Sequence, residues 1–277
     1  MSTHQRKEKR KKYPSDISKN GWKKLKAYLP QSKCGEGKVG RTAANLREVI
    51  NAIMYVVKSG CSWRSIPNDL PNWSTTYGYF YRWSKEGRWQ EIHSFLVKKV
   101  RKQMGRKARP TAGCLDSQSS KTTACGGKSR GFDKGKLIKG RKRFILTDSQ
   151  GLLLAVWICA ASVSEKQGAM HLLRYIKAVA CLRHLCERIK LVWVDGGYRG
   201  ADLADYVAKL WQWTWQVVLR NDDQRGFRLL PRRWVVERTF AWLLNARRLN
   251  KDYEKSRRNS QSMVYLAFMP ILLNRLH

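Results

Sequence analysis

The stretch Ile189-Lys-Leu-Val-Trp-Val-Asp-Gly-Gly197 decides how the larger part of this 277-residue chain folds. Residues 189–194, rich in β-branched and aromatic side chains, read as a strand, and Asp195-Gly-Gly supplies the turn that ends it. Working outward, helical spacing precedes this strand at Met170, Leu172, Leu173, Ile176, Val179 and Leu182. Before that helix, 112–116, 143–148 and 152–161 read as three strands, the last two joined by the hairpin signal at Asp148-Ser-Gln. Downstream come a helix at 201–210, a fifth strand at 213–219 and a helix carrying Glu237. The order β-β-β-α-β-α-β-α predicts an α/β fold, a mixed five-stranded sheet flanked by helices. The apolar run 151–163 is too short to cross a bilayer and belongs to a buried strand.

The first hundred residues carry a different period. A basic tail, 1–13, is expected to be disordered; a short helix at 18–29 ends at Pro30, and 31–40 is a Gly-rich linker. Leu46, Val49, Ile50, Ile53, Met54 and Val57 then recur at helical spacing until Gly60, and 63–66 forms a tight helical turn before Pro67. A second helix follows Ser74, placed where an N-cap belongs, and runs to Gly87; a third spans 89–103. A small all-α, helix-turn-helix-like domain over 14–105 is therefore expected ahead of a second domain over 110–277. Its polar-aromatic helix offers Thr75, Thr76, Tyr79 and Arg82 as DNA contacts, with a merely solvated helix face as the alternative.

Charge narrows the partner. With 56 Lys+Arg against 20 Asp+Glu the formal net charge is +36, self-repulsive unless a polyanion shares the surface. Nucleic acid is the expected partner; a membrane is not, because the basic residues run throughout the chain and make no separate amphipathic helix. The 43% hydrophobic content and 12 tryptophans exclude a disordered chain. No apolar segment follows the basic N-terminus, so no signal peptide is expected. Seven cysteines without a C-x-x-C pair predict reduced thiols in a cytoplasmic, nucleoid-associated protein, with Cys181 and Cys186 as packing residues. The Gly/Lys-rich segment 121–142, with Lys121, Arg141 and Lys142, reads either as a loop near a phosphate backbone or as a solvated basic loop.

Three acids fall at related places. Asp116 closes the first strand, Asp195 the fourth, and Glu237 lies near the start of the last helix. Spacing puts Arg233, Trp234, Phe240 and Ala241 on the glutamate's own face, so that face is expected to be buried, at a cost that a cation or metal would offset. Ligands collect at the carboxyl ends of strands in open sheets, and the first and fourth strands must be neighbours for the two aspartates to meet. Carboxylates clustered this way suit Mg²⁺ or Mn²⁺, and two such ions would clamp an in-line phosphodiester displacement. Each acid also has a structural reading: Asp195 as a turn former, Asp116 as a loop cap, Glu237 as the partner of Arg233.

At these residues the chain resembles a known family. Asp116-Ser-Gln-Ser-Ser-Lys-Thr-Thr, Lys139-Gly-Arg-Lys-Arg-Phe-Ile-Leu-Thr-Asp, Leu191-Val-Trp-Val-Asp-Gly-Gly-Tyr and Pro231-Arg-Arg-Trp-Val-Val-Glu-Arg-Thr-Phe-Ala-Trp-Leu are similar to motifs of bacterial transposases of the insertion-sequence-five family, within the DDE superfamily. The resemblance runs from about Tyr13 through Leu276. It implies a ribonuclease-H-like catalytic domain with Asp116, Asp195 and Glu237 as catalytic and metal-binding acids. It also implies Mg²⁺-dependent nicking at terminal inverted repeats, joining of 3′ ends to target DNA, and at least a homodimer on DNA. Arg233 matches the motif and is expected at a phosphate. Leu230 and Leu244 stand where the wider superfamily has Tyr and Lys, which moves phosphate contact toward Arg247 or Arg248. In the segment 162–168, Glu165 and Gln167 replace the aspartates of similar proteins, and Glu165 is not counted as a ligand. An inactive, transposase-derived DNA-binding protein is the rival reading. A basic RNA-binding protein would explain the charge but not the acids.

Overall fold

A computed structural model describes residues 10–30, 44–124, 126–219 and 234–276; the Gly-rich segment at 31–40 and Arg233 lie outside them. The sheet is built from β1 (Ala112–Lys121), β2 (Gly131–Asp133), β3 (Ile138–Asp148), β4 (Leu153–Ala160), β5 (Leu191–Val194) and β6 (Thr214–Val217). Its principal order is β4-β3-β1-β5-β6, with the short β2 pairing the first residues of β3. The β1/β3 and β3/β4 pairs are antiparallel, whereas β1/β5 and β5/β6 are parallel. The first and fourth expected strands are therefore neighbours, and the architecture is the ribonuclease-H-like α/β fold. From Gly140 to Asp148 every residue of β3 is buried, which requires cover on both faces of the sheet.

Two expectations about strands need correction. The first strand runs to Lys121 and does not stop at Asp116, so Asp116 lies within β1, opposite Ile145 of β3. Within the basic segment 121–142, Lys121 ends β1, and β2 with the start of β3 takes up residues 131–133 and 138–142. The polar run Ser117-Gln-Ser-Ser carries no hydrophobic alternation to announce a strand. It is held by cross-strand pairing and by hydroxyls with partners: Ser119 Oγ to Asp133 (2.5 Å) and Ser120 Oγ to Arg143 (3.1 Å).

The N-terminal helices are α1 (Lys19–Lys26), α2 (Leu46–Ser59), α3 (Trp73–Lys85) and α4 (Arg88–Gln103), with a 3-10 turn at Trp63–Ser65. Val49, Ile50, Ile53, Met54 and Val57 form the buried stripe of α2, as the spacing predicts. Gly60 ends that helix at φ 76, a conformation that favours glycine, under the backbone of Arg247 and Arg248. The N-cap of α3 is Asn72 and not Ser74: its Oδ1 accepts from Ser74 N at 2.9 Å, which starts the helix earlier.

Between the strands lie α5 (Glu165–Ala178), α6 (Ala180–Cys186) and α7 (Ala201–Trp211), followed after β6 by α8 (Trp234–Leu244) and α9 (Arg257–Asn274). Sequence periodicity misses α9, which is buried around most of its girth from Asn259 to Met269 and so has no amphipathic stripe to detect. This helix touches α1, α2, α3, α4, α8 and β4, and one hydrophobic core runs from Leu25 of α1 through the sheet to Leu272 of α9. It also closes a sheet edge. Val156 N of the outer strand β4 donates to Tyr265 Oη (3.3 Å), and Val156 O accepts from Gln261 Nε2 (2.9 Å).

Buried ion pairs tie this core together. Arg141, fully buried, donates to Asp252 Oδ1 (3.1 Å), Ser260 Oγ (2.9 Å) and the carbonyls of Gly126, Ser129, Glu254 and Lys255. Arg248 pairs with Glu254 at 2.8 Å, and Arg101 of α4 pairs with Asp148 at the end of β3. Such pairs cost desolvation and are tolerated because nearly every guanidinium hydrogen of Arg141 finds an acceptor.

His93 of α4 adds a pH-sensitive contact. Its Nε2–H donates to the Leu153 carbonyl at 2.7 Å, and its ring packs on Tyr265 and Phe268. Burial lowers its pKa to about 4 from the ordinary 6.5, with the Leu153 hydrogen bond opposing. Between those values the unfolded chain takes up a proton that the folded one refuses, so stability is complete above pH 6.5 and falls toward pH 4. The loss expected from this group is about 3 kcal/mol. Urea unfolding across that range should show the slope in wild type and lose it in His93→Gln, which keeps a donor for the carbonyl.

Candidate active site

The parallel pairing of β1 with β5 positions the first two acids. Ala112 pairs with Leu191, Gly113 with Val192 and Cys114 with Trp193. Continued at one residue per residue, this register sets Asp116, two past Cys114, level with Asp195, two past Trp193. Even spacing puts both side chains on one face of the sheet. Asp195 is extended (φ −87, ψ 179), and its Oδ1 accepts from Gly197 N at 2.9 Å, capping a 3-10 turn at Gly196–Tyr198. Its turn-forming role and its place beside Asp116 are therefore compatible. Asp116 Oδ1 accepts from Ser117 N at 2.7 Å.

Glu237 departs from expectation. It is exposed on α8, whose buried stripe is Val235, Val236, Thr239, Phe240 and Leu243. The aromatic residues near it pack elsewhere: Trp234 and Trp242 sandwich the Arg238 guanidinium at 4.2 and 4.6 Å from their ring centroids. Arg238 and Thr239 hydrogen-bond the carbonyls of Gln150 and Gly151, which fixes α8 on the β3–β4 turn. A carboxylate in the first turn of a helix and open to water carries no burial cost, so the energetic argument for a metal at Glu237 falls away. Among the described residues, no three His, Cys, Asp or Glu side chains converge closely enough to hold a metal ion. The oxygen-only chemistry of Asp116 and Asp195 nevertheless fits a hard divalent cation.

Glu165, set aside on sequence, stands beside Asp195. It opens α5, capped by Ser164 Oγ accepting from Gln167 N (3.3 Å), and its carboxylate rests on Gly197. A Cβ at position 197 would overlap Glu165 Oε2 and lie 3.2 Å from Asp195 Oδ1, so the two carboxylates face each other across a glycine. Burial, then the Asp195 charge, raises the Glu165 pKa, while Lys142 and Lys136 oppose the shift. Tyr198 is fully buried; burial first, then the charges of Asp116, Glu165 and Asp195, pushes its phenol well above the ordinary range. Ser117 stands beside it, yet neither hydroxyl makes a hydrogen bond of normal geometry. Glu165 also lines an open cleft of about 590 Å³ with Asp133, Lys136, Lys142, Lys166 and Gly197. A cavity of equal volume between α2 and α9 contains none of these acids.

The expected DNA contacts divide. Thr75 and Arg82 are exposed on α3; Tyr79 is half-buried, under the Arg82 guanidinium and edge-on to Trp83. Thr76 is fully buried with its hydroxyl donated to the Pro71 carbonyl (3.1 Å), and Arg141 is consumed by the core network, so neither can meet DNA in this structure. Lys142 is buried against Asp133 (3.3 Å) and the Val163 carbonyl (3.2 Å), at the cleft rather than on a basic loop. Lys121 and Arg247 are exposed. Tyr81 and Lys85, which sequence reasoning passes over, are also exposed on α3, Lys85 lying three residues after Arg82 and four after Tyr81.

Residues 107–272, more than half the chain, match the model of the Transposase DDE domain, and residues 17–93 match a domain ascribed to transposases of the IS4/5 family. A transposase ascribed to insertion sequence element IS402 of Burkholderia cepacia is 33% identical over 121 residues, covering 42% of this chain and 54% of that protein. An uncharacterized 16.2 kDa protein of the same element is 29% identical over 83 residues, covering 29% and 56%. The chain thus spans about half the length of the curated relatives it matches. A pre-cleavage Mos1 transpososome structure matches at 11% identity and TM-score 0.29, over 87% of this chain and 80% of that one, too distant to carry an argument.

The facing carboxylates give a direct test. Asp195→Asn removes the neighbouring charge, so Glu165 should titrate lower than in wild type, toward the value that burial alone sets. Carboxylate NMR of Glu165 measures this, and an unchanged titration would show that the two groups do not interact.

Proposed function

We propose that this chain, which belongs to the Transposase DDE domain family, cuts DNA at the terminal inverted repeats of an insertion sequence and joins the 3′ ends to target DNA by phosphoryl transfer. Membership implies dependence on divalent metal in general; Mg²⁺ or Mn²⁺ is the proposed ion. The supporting observation is the β1/β5 register that sets Asp116 level with Asp195. With a cation bound there, its Lewis acidity would stabilise charge on the attacking and leaving oxygens. Asp116 and Asp195 would hold it, and Glu237, on the exposed face of α8, would complete the acidic triad once DNA covers that face. Lys136, Lys142 and Lys166 give the adjoining cleft a basic side suited to a flanking phosphate.

In this reading residues 14–105 recognise the terminal repeat through the outer stripe of α3, and residues 110–277 carry the chemistry. Lys121, Arg233 and Arg247 are proposed phosphate contacts. Two element ends brought together call for a homodimer or larger assembly on DNA. No helix among the described residues is long and apolar enough to cross a membrane, and a nucleoid-associated cytoplasmic location is proposed. The rival, an inactive DNA-binding descendant, draws support from Leu244 in place of the superfamily lysine and from the exposed position of Glu237.

Incubation with DNA bearing the element's own terminal repeats and Mg²⁺ separates the two. Wild type should nick at the repeat ends and Asp195→Ala should lose at least two orders of magnitude in rate; absence of nicking by wild type, or equal nicking by both, favours the rival. Arg82→Ala should weaken repeat binding roughly tenfold and flatten the salt dependence by about one unit of slope. Unaltered affinity and slope in a fluorescence anisotropy titration would remove α3 as the reading helix.

A further inference from the structure

We propose that Glu165 is a further ligand of the divalent cation, acting from α5 with Asp116 and Asp195, and that the buried Tyr198 hydroxyl steadies the liganded arrangement. The proposal rests on the transposase reading. Its first support is the glycine at 197, the one residue without a side chain to exclude the Glu165 carboxylate from its place opposite Asp195. A glutamate placed only to favour a helix N-terminus would need no such cradle. The second support is a different group: Tyr198 Oη is buried and makes no hydrogen bond of normal geometry, within reach of the charges of Asp116, Glu165 and Asp195. A buried hydroxyl left unsatisfied is costly, and an acceptor brought by a bound ion, either a reoriented carboxylate oxygen or a coordinated water, would satisfy it.

Charge points the same way. Lys142 of the adjoining cleft is already engaged by Asp133 and the Val163 carbonyl. Carboxylates brought face to face repel one another, and a small cation with a preference for oxygen relieves that repulsion. The side chains are not drawn together into a closed cage. Rotation of Glu165 about its own side chain, from a helix end already beside Asp195, is the movement that would close it.

Mn²⁺ alone is the probe, titrated into the full chain with free ion followed by electron paramagnetic resonance. Glu165→Gln should weaken Mn²⁺ binding roughly tenfold or more, Tyr198→Phe should weaken it less, and Asp195→Ala is the reference. Affinity unchanged in Glu165→Gln but reduced in Asp195→Ala overturns the Glu165 assignment and leaves the transposase reading intact. Absence of binding in wild type, or equal affinity in all variants, overturns the metal site altogether. A measurement on wild type guards against misfolded variants: Fe²⁺-generated hydroxyl radicals should cut the chain near residues 116, 165 and 195. Cuts near 116 and 195 without one near 165 overturn the proposal.

Discussion

The parallel contact between β1 and β5 is the constraint on which the site depends. It spans only three residue pairs, yet it joins segments separated in sequence by three strands and two helices, and it fixes which residues are level beyond its end. Because β5 stops at Val194, the chain leaves the ladder where Asp195 begins its turn, while β1 continues alongside β3. The aspartates thus occupy a step at the edge of the parallel pairing, where backbone pairing no longer fills the space between neighbouring strands. β6 supports β5 from the other side through four paired residues, and Trp193 Nε1 adds a hydrogen bond to Gln216 (2.9 Å).

A strongly basic chain does not spend all its cations on a partner. Arg101, Arg141, Arg143 and Arg248 lie in the interior, where they answer Asp148, Asp252, Glu254 and a set of carbonyls. Surface and interior arginines look alike in a composition, which is why net charge identifies the class of partner but not its contacts. The two halves of Lys139-Gly-Arg-Lys-Arg show this within one strand: Lys139 is exposed, whereas Arg141 to Arg143 are buried.

Much of the fold is legible in the sequence because its elements carry periodic apolar residues, as in α2, β4 and β5. That β1 and β5 are neighbours is a requirement the acids impose, but no residue pattern reveals it, since pairing between distant strands leaves no local trace. Where apolar residues surround an element on all sides, as in α9, or are missing, as in the outer half of β1, periodicity is silent. Spacing misplaces Glu237 because it treats Trp234 as a core residue; that ring packs on Arg238 near the surface instead. Asp195 is legible from its strand end and turn chemistry, whereas Asp116 is reached through an expected strand end that in fact lies at Lys121. Glu165 is not, because its proximity to Asp195 arises only when α5 folds back across Gly197.

The helix α9 has a consequence beyond packing. It is core to the N-terminal helices and to β4 at once, so α3 and the aspartates belong to one solid rather than to modules on a tether. In the transposase reading, the distance along DNA from the recognised sequence to the cut bond is then a dimension of the protein, like the gap of a caliper. An insertion of base pairs between them would have to be absorbed by twisting or bending the DNA, because the protein has no slack to give.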